Sequence, residues 1–371
     1  MAWSDWSGVQ VLSSCFLLWV VPFAAFLTAV EATGYLVLTV LVFGPLCSYL
    51  GIAYCSVPQP PDSVVREILG EQVQSRSPRY LPCGGSGKQD AGPSTKDVNR
   101  VIAIAHRFAG IDAPENTTTA LDQCIKNGAK AVEFDVVLTG DMVPVVFHDP
   151  KLQRMTGLTE DIRKLPYAHV KELNVSVYHH FREQFPNTFI PTLNDVIKKC
   201  IDNDMRMIID IKEDRFEIVD IILQLFSKYP VLYKRAVVSS FNPWIIFNIR
   251  KTNPDIVGAL AWRPAYMSCS EYSPIDENCK VHHNTLFMYF MSRLADMAHS
   301  FFFFNFAHSI LGLSAVLIYK DNITIDMIYY WSKKNVRTIA WTVNSPLEKQ
   351  YMVRELGIPY VTDTMLGNAD Q

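Results

Sequence analysis

Two histidines and a set of charged residues at the ends of short apolar runs are the part of this chain that can do chemistry. His106-Arg107 follows one such run and His148-Asp149 another. A positioned imidazole takes or gives a proton near neutral pH, and two of them can divide proton removal from leaving-group protonation. Arg107 offers the fixed donors of a guanidinium to a phosphate. In Glu133-Phe134-Asp135, alternation along the β-rich run Ala131–Val136 puts both carboxylates on one face and Phe134 on the other. Ile209-Asp210-Ile211-Lys212 repeats an acid and a cation on one strand face. Asp210 can therefore join Glu133 and Asp135 around a hard cation, Mg²⁺ or Ca²⁺, while Lys212 meets a phosphate or ligand carboxylate.

Each of these residues also has a plainer role. His106 alone reads as a hydrogen-bonded structural histidine, Glu115 as a charge at a helix N-terminus and Asn116 as a turn residue. Asp149 either orients His148 or ends its strand. Asp210 and Lys212 suit a fold-stabilising ion pair, and in Trp341-Thr342-Val343-Asn344 the tryptophan suits the core nearly as well as a substrate. Clustering favours chemistry, because Glu133 and Asp135 would otherwise need separate basic partners or solvent, whereas one cation answers both.

Positioning these groups requires strands, and from residue 101 onward eight β-rich runs recur: Val101–Ala105, Ala131–Val136, Met207–Ile211, Ala236–Ser239, Ile256–Ala261, Ala315–Ile318, Val336–Val343 and Tyr360–Val361. The intervals leave room for crossover helices, which predicts an α/β fold, a (β/α)8 TIM barrel over 101–371 with an open α/β sheet as the alternative. Thr139-Gly140-Asp141 predicts a turn, with Val143–Phe147 returning as a hairpin off the second strand. An insertion at about 263–313 separates the fifth and sixth strands. Its apolar stretch Leu286–Leu317 includes Phe301-Phe302-Phe303-Phe304, but Arg293, Asp296, His299 and His308 fit an interfacial helix or a buried cap better than a membrane span.

The first 55 residues are different. No Lys, Arg, Asp or Glu lies between Asp5 and Glu31 or between Glu31 and Asp62, so residues 1–55 are expected to be a membrane anchor, with spans at 11–30 and 32–54. A cleaved signal peptide would account for the first block only, and the basic n-region is missing. Residues 56–100, rich in Pro, Gly and Ser, read as a juxtamembrane linker with a short helix around Asp62–Gln74. The basic residues after the second block favour a cytosolic domain; Asn174-Val175-Ser176, Asn322-Ile323-Thr324 and Asn116-Thr117-Thr118 fit glycosylation of a lumenal or extracellular one. Lumenal or extracellular exposure at an endomembrane or the plasma membrane is the expectation adopted. The eight cysteines form no zinc spacing; Cys269 and Cys279 either pair or stay free. With 34 basic against 37 acidic residues and a net charge of -3, no nucleic-acid partner is expected.

In order along the chain, His106-Arg107, Pro114-Glu115-Asn116-Thr117, Glu133-Phe134-Asp135, His148-Asp149, Asp210-Ile211-Lys212 and Trp341-Thr342-Val343-Asn344 resemble the glycerophosphodiester phosphodiesterase family over roughly 101–366. The likeness is to its membrane-bound subgroup acting on glycerophosphoinositol and, in related enzymes, on glycerophospho-N-acylethanolamines or lysophospholipids. The resemblance implies a barrel of the phospholipase C-like type, and cleavage of a glycerophosphodiester to sn-glycerol 3-phosphate and an alcohol. It implies His106 and His148 as the acid/base pair, and Glu133, Asp135 and Asp210 around one divalent cation, Mg²⁺ favoured and Ca²⁺ the alternative. Arg107, Lys212, Trp341 and Asn344 would meet the phosphate or substrate, with Glu115, Asn116 and Asp149 in support. Two positions depart from the family pattern: Asp210 stands where Glu is usual, and Phe108 replaces the Gly of the common His-Arg-Gly start. The implied partners are a glycerophosphodiester or lysophospholipid and membrane lipid; a noncatalytic membrane interaction protein is the competing class.

Overall fold

Inward and outward residues alternate along eight parallel strands, and this alternation fixes where everything else sits. The computed structural model describes residues 51, 53–54, 56–71, 102–272, 279–282 and 285–366. Of two compact units, Met1–Ser56 and Val57–Gln371, the elements named below belong to the second. The expected spans at 11–30 and 32–54 lie outside the described residues except for 51 and 53–54, and among the described residues no helix is long and apolar enough to cross a membrane.

The barrel strands are β1 (Ala103–His106), β2 (Ala131–Leu138), β4 (Arg206–Ile211), β5 (Ala236–Ser240), β6 (Val257–Trp262), β9 (Ala315–Tyr319), β10 (Arg337–Trp341) and β11 (Tyr360–Thr362). Their order is β1-β11-β10-β9-β6-β5-β4-β2, and β2 pairs with β1 to close the barrel. All eight expected runs are strands, displaced at their ends by two residues at most. The short β3 (Pro144–Val146) returns antiparallel to β2, pairing Val137 with Val145.

Outward residues such as Phe134, Ile209, Val238, Leu260, Val316 and Ala340 meet the helices in one large apolar cluster. Those helices start where a side chain satisfies free backbone donors: Thr117 accepts from Ala120 N before α2 (Thr118–Lys126), Thr192 from Asp195 N before α3 (Leu193–Asp202) and, beyond α4 (Glu217–Lys228), Asn242 from Trp244 N before α5 (Pro243–Thr252). Inward residues Ile104, Ala131, Ile208, Val237, Ala259, Leu317, Ile339 and Val361 form a second cluster inside the barrel, and α1 (Asp62–Leu69) plugs it with Val65, Ile68 and Leu69.

Residues 57–70, which the sequence reading put in a linker, are thus the floor of the barrel. Buried Arg337 donates to the Gly70 carbonyl and pairs with Asp62 at 3.3 Å; Arg206 donates to Glu67 O. Buried Arg250 joins the carbonyls of Pro58, Pro254, Ile256 and Leu311. Gly312, at φ 59°, lies under the Val57 and Pro58 carbonyls; a Cβ there would fall 2.8 Å from Pro58 O.

Between β6 and β9 the insertion holds a hairpin, β7 (Cys269–Tyr272) with β8 (Cys279–Val281), and α6 (Leu286–Phe302), which runs on through 303–311. Its two halves differ. Phe303 is buried, stacked on Trp262 at 5.4 Å and edge-on to Trp331 at 5.1 Å, whereas most of α6 up to Phe301 is exposed. Cys269 is disulfide-bonded; pairing with Cys279 involves a side chain outside the described residues.

If α1 is the floor, Ile68→Ala should destabilise the protein by about 2–5 kcal/mol, as for other large-to-small core changes. Exposed Arg66→Ala should cost no more than about 1 kcal/mol. Denaturant midpoints of the two variants check this.

Candidate active site

One step of two residues beyond the apolar interior, five of the eight strands change character at the C-terminal rim. Ile104 leads to His106, Ala131 to Glu133 and Asp135, Ile208 to Asp210 and Lys212, Ile339 to Trp341 and Val361 to Asp363. The same alternation that fills the barrel therefore aims these polar groups into its mouth.

After β1 the chain makes a left-handed turn, with Arg107, Phe108 and Ala109 at φ 50°, 65° and 62°. Phe108, which stands in place of the Gly of the family pattern, thus takes up a left-handed backbone itself. For an L-residue this conformation costs roughly 1–2 kcal/mol. Full burial of the Phe108 ring, 5.3 Å from that of Phe134, offsets it by about 1.5–3 kcal/mol. The turn directs Arg107 N to Glu133 Oε2 at 3.0 Å, and the guanidinium to Glu115 at 2.9 Å and Asp135 at 3.2 Å.

Glu133, Asp135 and Asp210 are buried and each offers an oxygen within 4.8 Å of the others. Asp135 Oδ1 and Asp210 Oδ1 have no hydrogen-bond partner. Asp135 Oδ2 accepts from Asn116 Nδ2 at 2.8 Å; Lys212 bonds Asp210 and lies 3.3 Å from Asp135 Oδ1. Burial, then the neighbouring Asp135, holds the Glu133 carboxyl well above the usual carboxylate range. Burial opposes ionisation of Asp135 too, but His148, Lys212, Arg107 and His106 overcome it and keep that group far below the range. Three hard carboxylate donors, two of them with an oxygen that lacks a hydrogen-bond partner, suit Mg²⁺ or Ca²⁺.

Both expected histidines have Nδ1 tied to a carboxylate. His106 Nδ1 lies 2.5 Å from Asp363 Oδ1 and its Nε2 3.8 Å from Glu133; His148 Nδ1 lies 2.6 Å from Asp149 Oδ1. Burial pushes the His106 pKa down, yet Glu133 and Asp363 prevail and raise it. Burial raises Asp149, but the bonds from His148 and Arg154 pull it to about 2. Asn344 Nδ2 holds Asp363 Oδ2 at 2.8 Å, so Asn344 reaches His106 through Asp363. Trp341 stands edge-on to Phe241 at 5.6 Å and Tyr319 at 5.5 Å, below the mouth. Asn116 is buried on Asp135, and its side-chain amide is committed there rather than displayed as a glycan acceptor.

Two residues escaped the sequence reading. Asp363 carried a signal, since it lies two positions after inward-facing Val361. Arg154 carried none: it comes from a short helix, Gln153–Thr156, and bridges Asp149 at 2.6 Å to Glu115 at 2.6 Å. The run His148-Asp149-Arg154-Glu115-Arg107 thereby links the second histidine to the proposed phosphate arm.

A parallel barrel with two carboxylate-held histidines and three buried acids at its C-terminal rim defines a phosphoric diester hydrolase. The model of the glycerophosphoryl diester phosphodiesterase family matches residues 106–364, and the chain belongs to that family. It is 35% identical over 271 residues to glycerophosphodiester phosphodiesterase 1 of Bos taurus, covering 73% of this chain and 80% of the relative. The Homo sapiens protein of the same name is 32% identical over 275 residues, covering 74% and 81%. Among solved structures, an Oleispira antarctica phosphodiesterase in complex with the product sn-glycerol-3-phosphate has a TM-score of 0.52 at 22% identity, covering 71% of this chain and 92% of that one. The glycerophosphodiester phosphodiesterase of Agrobacterium tumefaciens reaches 0.50 at 15%, covering 73% and 100%.

Because Glu133 holds its proton above the ordinary carboxylate range, a cation binding there must displace it. Apparent Mg²⁺ affinity should therefore rise with pH through neutrality, by at most about tenfold per unit, and level off once Glu133 is ionised. Calorimetric titration of the protein and of Glu133→Gln checks this; the variant should bind more weakly and lose the pH dependence. For the His106 pair, Asp363→Asn should lower kcat by about 10- to 100-fold with KM little changed. Steady-state kinetics would show it.

Proposed function

We propose that this glycerophosphodiester phosphodiesterase cleaves water-soluble glycerophosphodiesters such as glycerophosphoinositol to sn-glycerol 3-phosphate and the free alcohol, with His106 and His148 as the acid/base pair. One observation carries the reading: two histidines, each fixed through Nδ1 by a carboxylate, stand beside three buried acids, two of which have an oxygen without a hydrogen-bond partner.

Nδ1 is occupied in both rings, so Nε2 is the nitrogen left to exchange a proton with substrate. One histidine takes the proton of the attacking water, or of the substrate's glycerol hydroxyl whose cyclic phosphate water then opens, as that oxygen bonds to phosphorus. The other delivers a proton to the departing alcohol oxygen as that P–O bond breaks. Arg107, anchored by Glu115 and Asp135, presents donors to the non-bridging phosphate oxygens, and Lys212 adds a second positive charge beside Asp210. Glu133, Asp135 and Asp210 would hold a divalent cation, which supplies further charge stabilisation at those oxygens. Asp210 in place of Glu shortens one arm of the triad. The uncharged blocks before residue 56 serve in this reading as the membrane anchor, with the barrel on the lumenal or extracellular side.

The test is glycerol 3-phosphate release from glycerophosphoinositol by purified, detergent-solubilised full-length protein with Mg²⁺, Ca²⁺ or chelator. His106→Ala and His148→Ala should each lower turnover by about 10²- to 10⁴-fold while the protein stays folded. Unchanged turnover in either variant would remove that residue from the acid/base role, and turnover indifferent to chelator would remove the cation.

A further inference from the structure

Arg107 and Lys212 bind acids of the buried triad, whereas both partners of Arg154 stand outside it. Its Nε donates to Asp149 Oδ2 at 2.6 Å, and its two terminal nitrogens donate to the two oxygens of Glu115 at 3.0 and 2.6 Å. The same two carboxylates hold two groups of the proposed mechanism. Asp149 Oδ1 lies 2.6 Å from His148 Nδ1, and Glu115 Oε1 accepts from the Arg107 guanidinium at 2.9 Å. Glu115 comes from the loop between β1 and α2, and Asp149 from the loop after β3. One planar fork therefore spans the supports of both.

The backbone around this bridge is closely fitted. Beside Arg154, Leu152 and Met155 sink into an apolar cluster with Val137, Val145 and Val175, which anchors the helix Gln153–Thr156. Gly157 ends that helix at φ 81°, and a Cβ there would fall 2.6 Å from Tyr178 Oη, so only glycine allows the turn and its cover together. At the other end a Cβ on Gly110 would fall 2.9 Å from Glu115 Cβ. Burial pushes the Glu115 carboxyl up, but the bond from Arg154 and the charge of Arg107 hold it below the usual range, so it stays an acceptor. Stability is a poor explanation for such fitting. The Arg154 side chain is 47% exposed, and exposed ion pairs add little to stability.

We propose that Arg154 is a positioning residue that acts through Asp149 and Glu115, fixing the separation of the His148 ring and the Arg107 guanidinium so that proton transfer and phosphate contact stay in register. What the two ends do rests on the phosphodiesterase reading above; that Arg154 couples them rests on the geometry. Lysine is no substitute, because an ammonium on a flexible stem is a point charge and fixes no angle between two carboxylates. A misplacement of about 1 Å at a reacting group costs as much as about 100-fold in rate. Loss of the bridge therefore registers in turnover before it registers in stability.

Steady-state hydrolysis of glycerophosphoinositol by full-length, detergent-solubilised protein tests this. Arg154→Ala should lower kcat by about 10- to 100-fold and raise KM by about threefold or more, with the melting temperature lowered by at most about 3 °C. A variant that loses its fold assigns Arg154 to stability and overturns the proposal. Arg154→Lys should recover only part of either loss; full recovery would make charge sufficient and overturn the fork. In Arg154→Ala combined with Asp149→Asn, kcat should match that of Asp149→Asn alone. In Arg154→Ala combined with Glu115→Gln, KM should match that of Glu115→Gln alone. Effects that multiply, or kcat and KM unchanged in Arg154→Ala, overturn the proposal. A crystal structure of Arg154→Ala gives a readout without turnover: the His148 ring or the Arg107 guanidinium should be displaced, and both in their original places overturn it. Failure of the unsubstituted protein on the diester rejects the phosphodiesterase reading instead, and the crystal structure still decides the positioning.

Discussion

Three carboxylates share the inside of a barrel, and the rest of the site answers their repulsion. At the separations found among Glu133, Asp135 and Asp210, two like charges repel by roughly 3–4 kcal/mol per pair at an effective dielectric of about 20. Burial adds a desolvation cost to each. The protein meets this in two ways: Glu133 holds its proton, and Arg107 and Lys212 are brought against Asp135 and Asp210. Both cations are fixed by the same acids that they compensate. The charges proposed to bind phosphate and those proposed to bind a cation are therefore one cluster, and neither set can be altered without disturbing the other.

Such a cluster needs a rigid frame. The lower half of the barrel is packed by small and branched side chains, with α1 filling the opening that they leave. Buried Arg250 and Arg337 bind carbonyls of the segments leading into and out of α1, and half-buried Arg206 binds one of α1 itself, giving that backbone the partners a buried chain requires. A stretch poor in periodic apolar order is thereby held as firmly as a strand.

Much of this was legible because strand alternation is a strict rule. Eight apolar runs gave eight strands, and spacing alone could place Glu133 and Asp135 on one face of their strand and Asp210 and Lys212 on one face of another. What escaped depends on long-range contact. Val65, Ile68 and Leu69 look like an ordinary amphipathic turn in a Pro-rich stretch until a barrel floor is there to receive them. Arg154 has no periodic neighbour to mark it; only the fold brings it between Asp149 and Glu115, 39 positions away from the latter. Asp363 obeyed the alternation rule but lay at the end of the shortest expected run. For the insertion, composition alone left interface and buried cap open, because both halves are apolar; exposure separates them, with Phe303 inside and Phe301 outside.

The two departures from the family pattern have different physical weight. At Phe108 a left-handed backbone is retained without glycine, and ring burial against Phe134 offsets the strain. The backbone geometry that Arg107 needs is therefore preserved by packing rather than by conformational freedom, which makes the turn stiffer than a glycine turn. At Asp210 the change falls on a group in the charge cluster itself. The shorter carboxylate lies in direct contact with Lys212, two residues on along the same face. A cation entering the triad would meet that ammonium, so Lys212 must swing outward or share Asp210. On the proposed reading, phosphate oxygens would compete with Asp210 for Lys212, which would couple cation and substrate binding at this one residue pair.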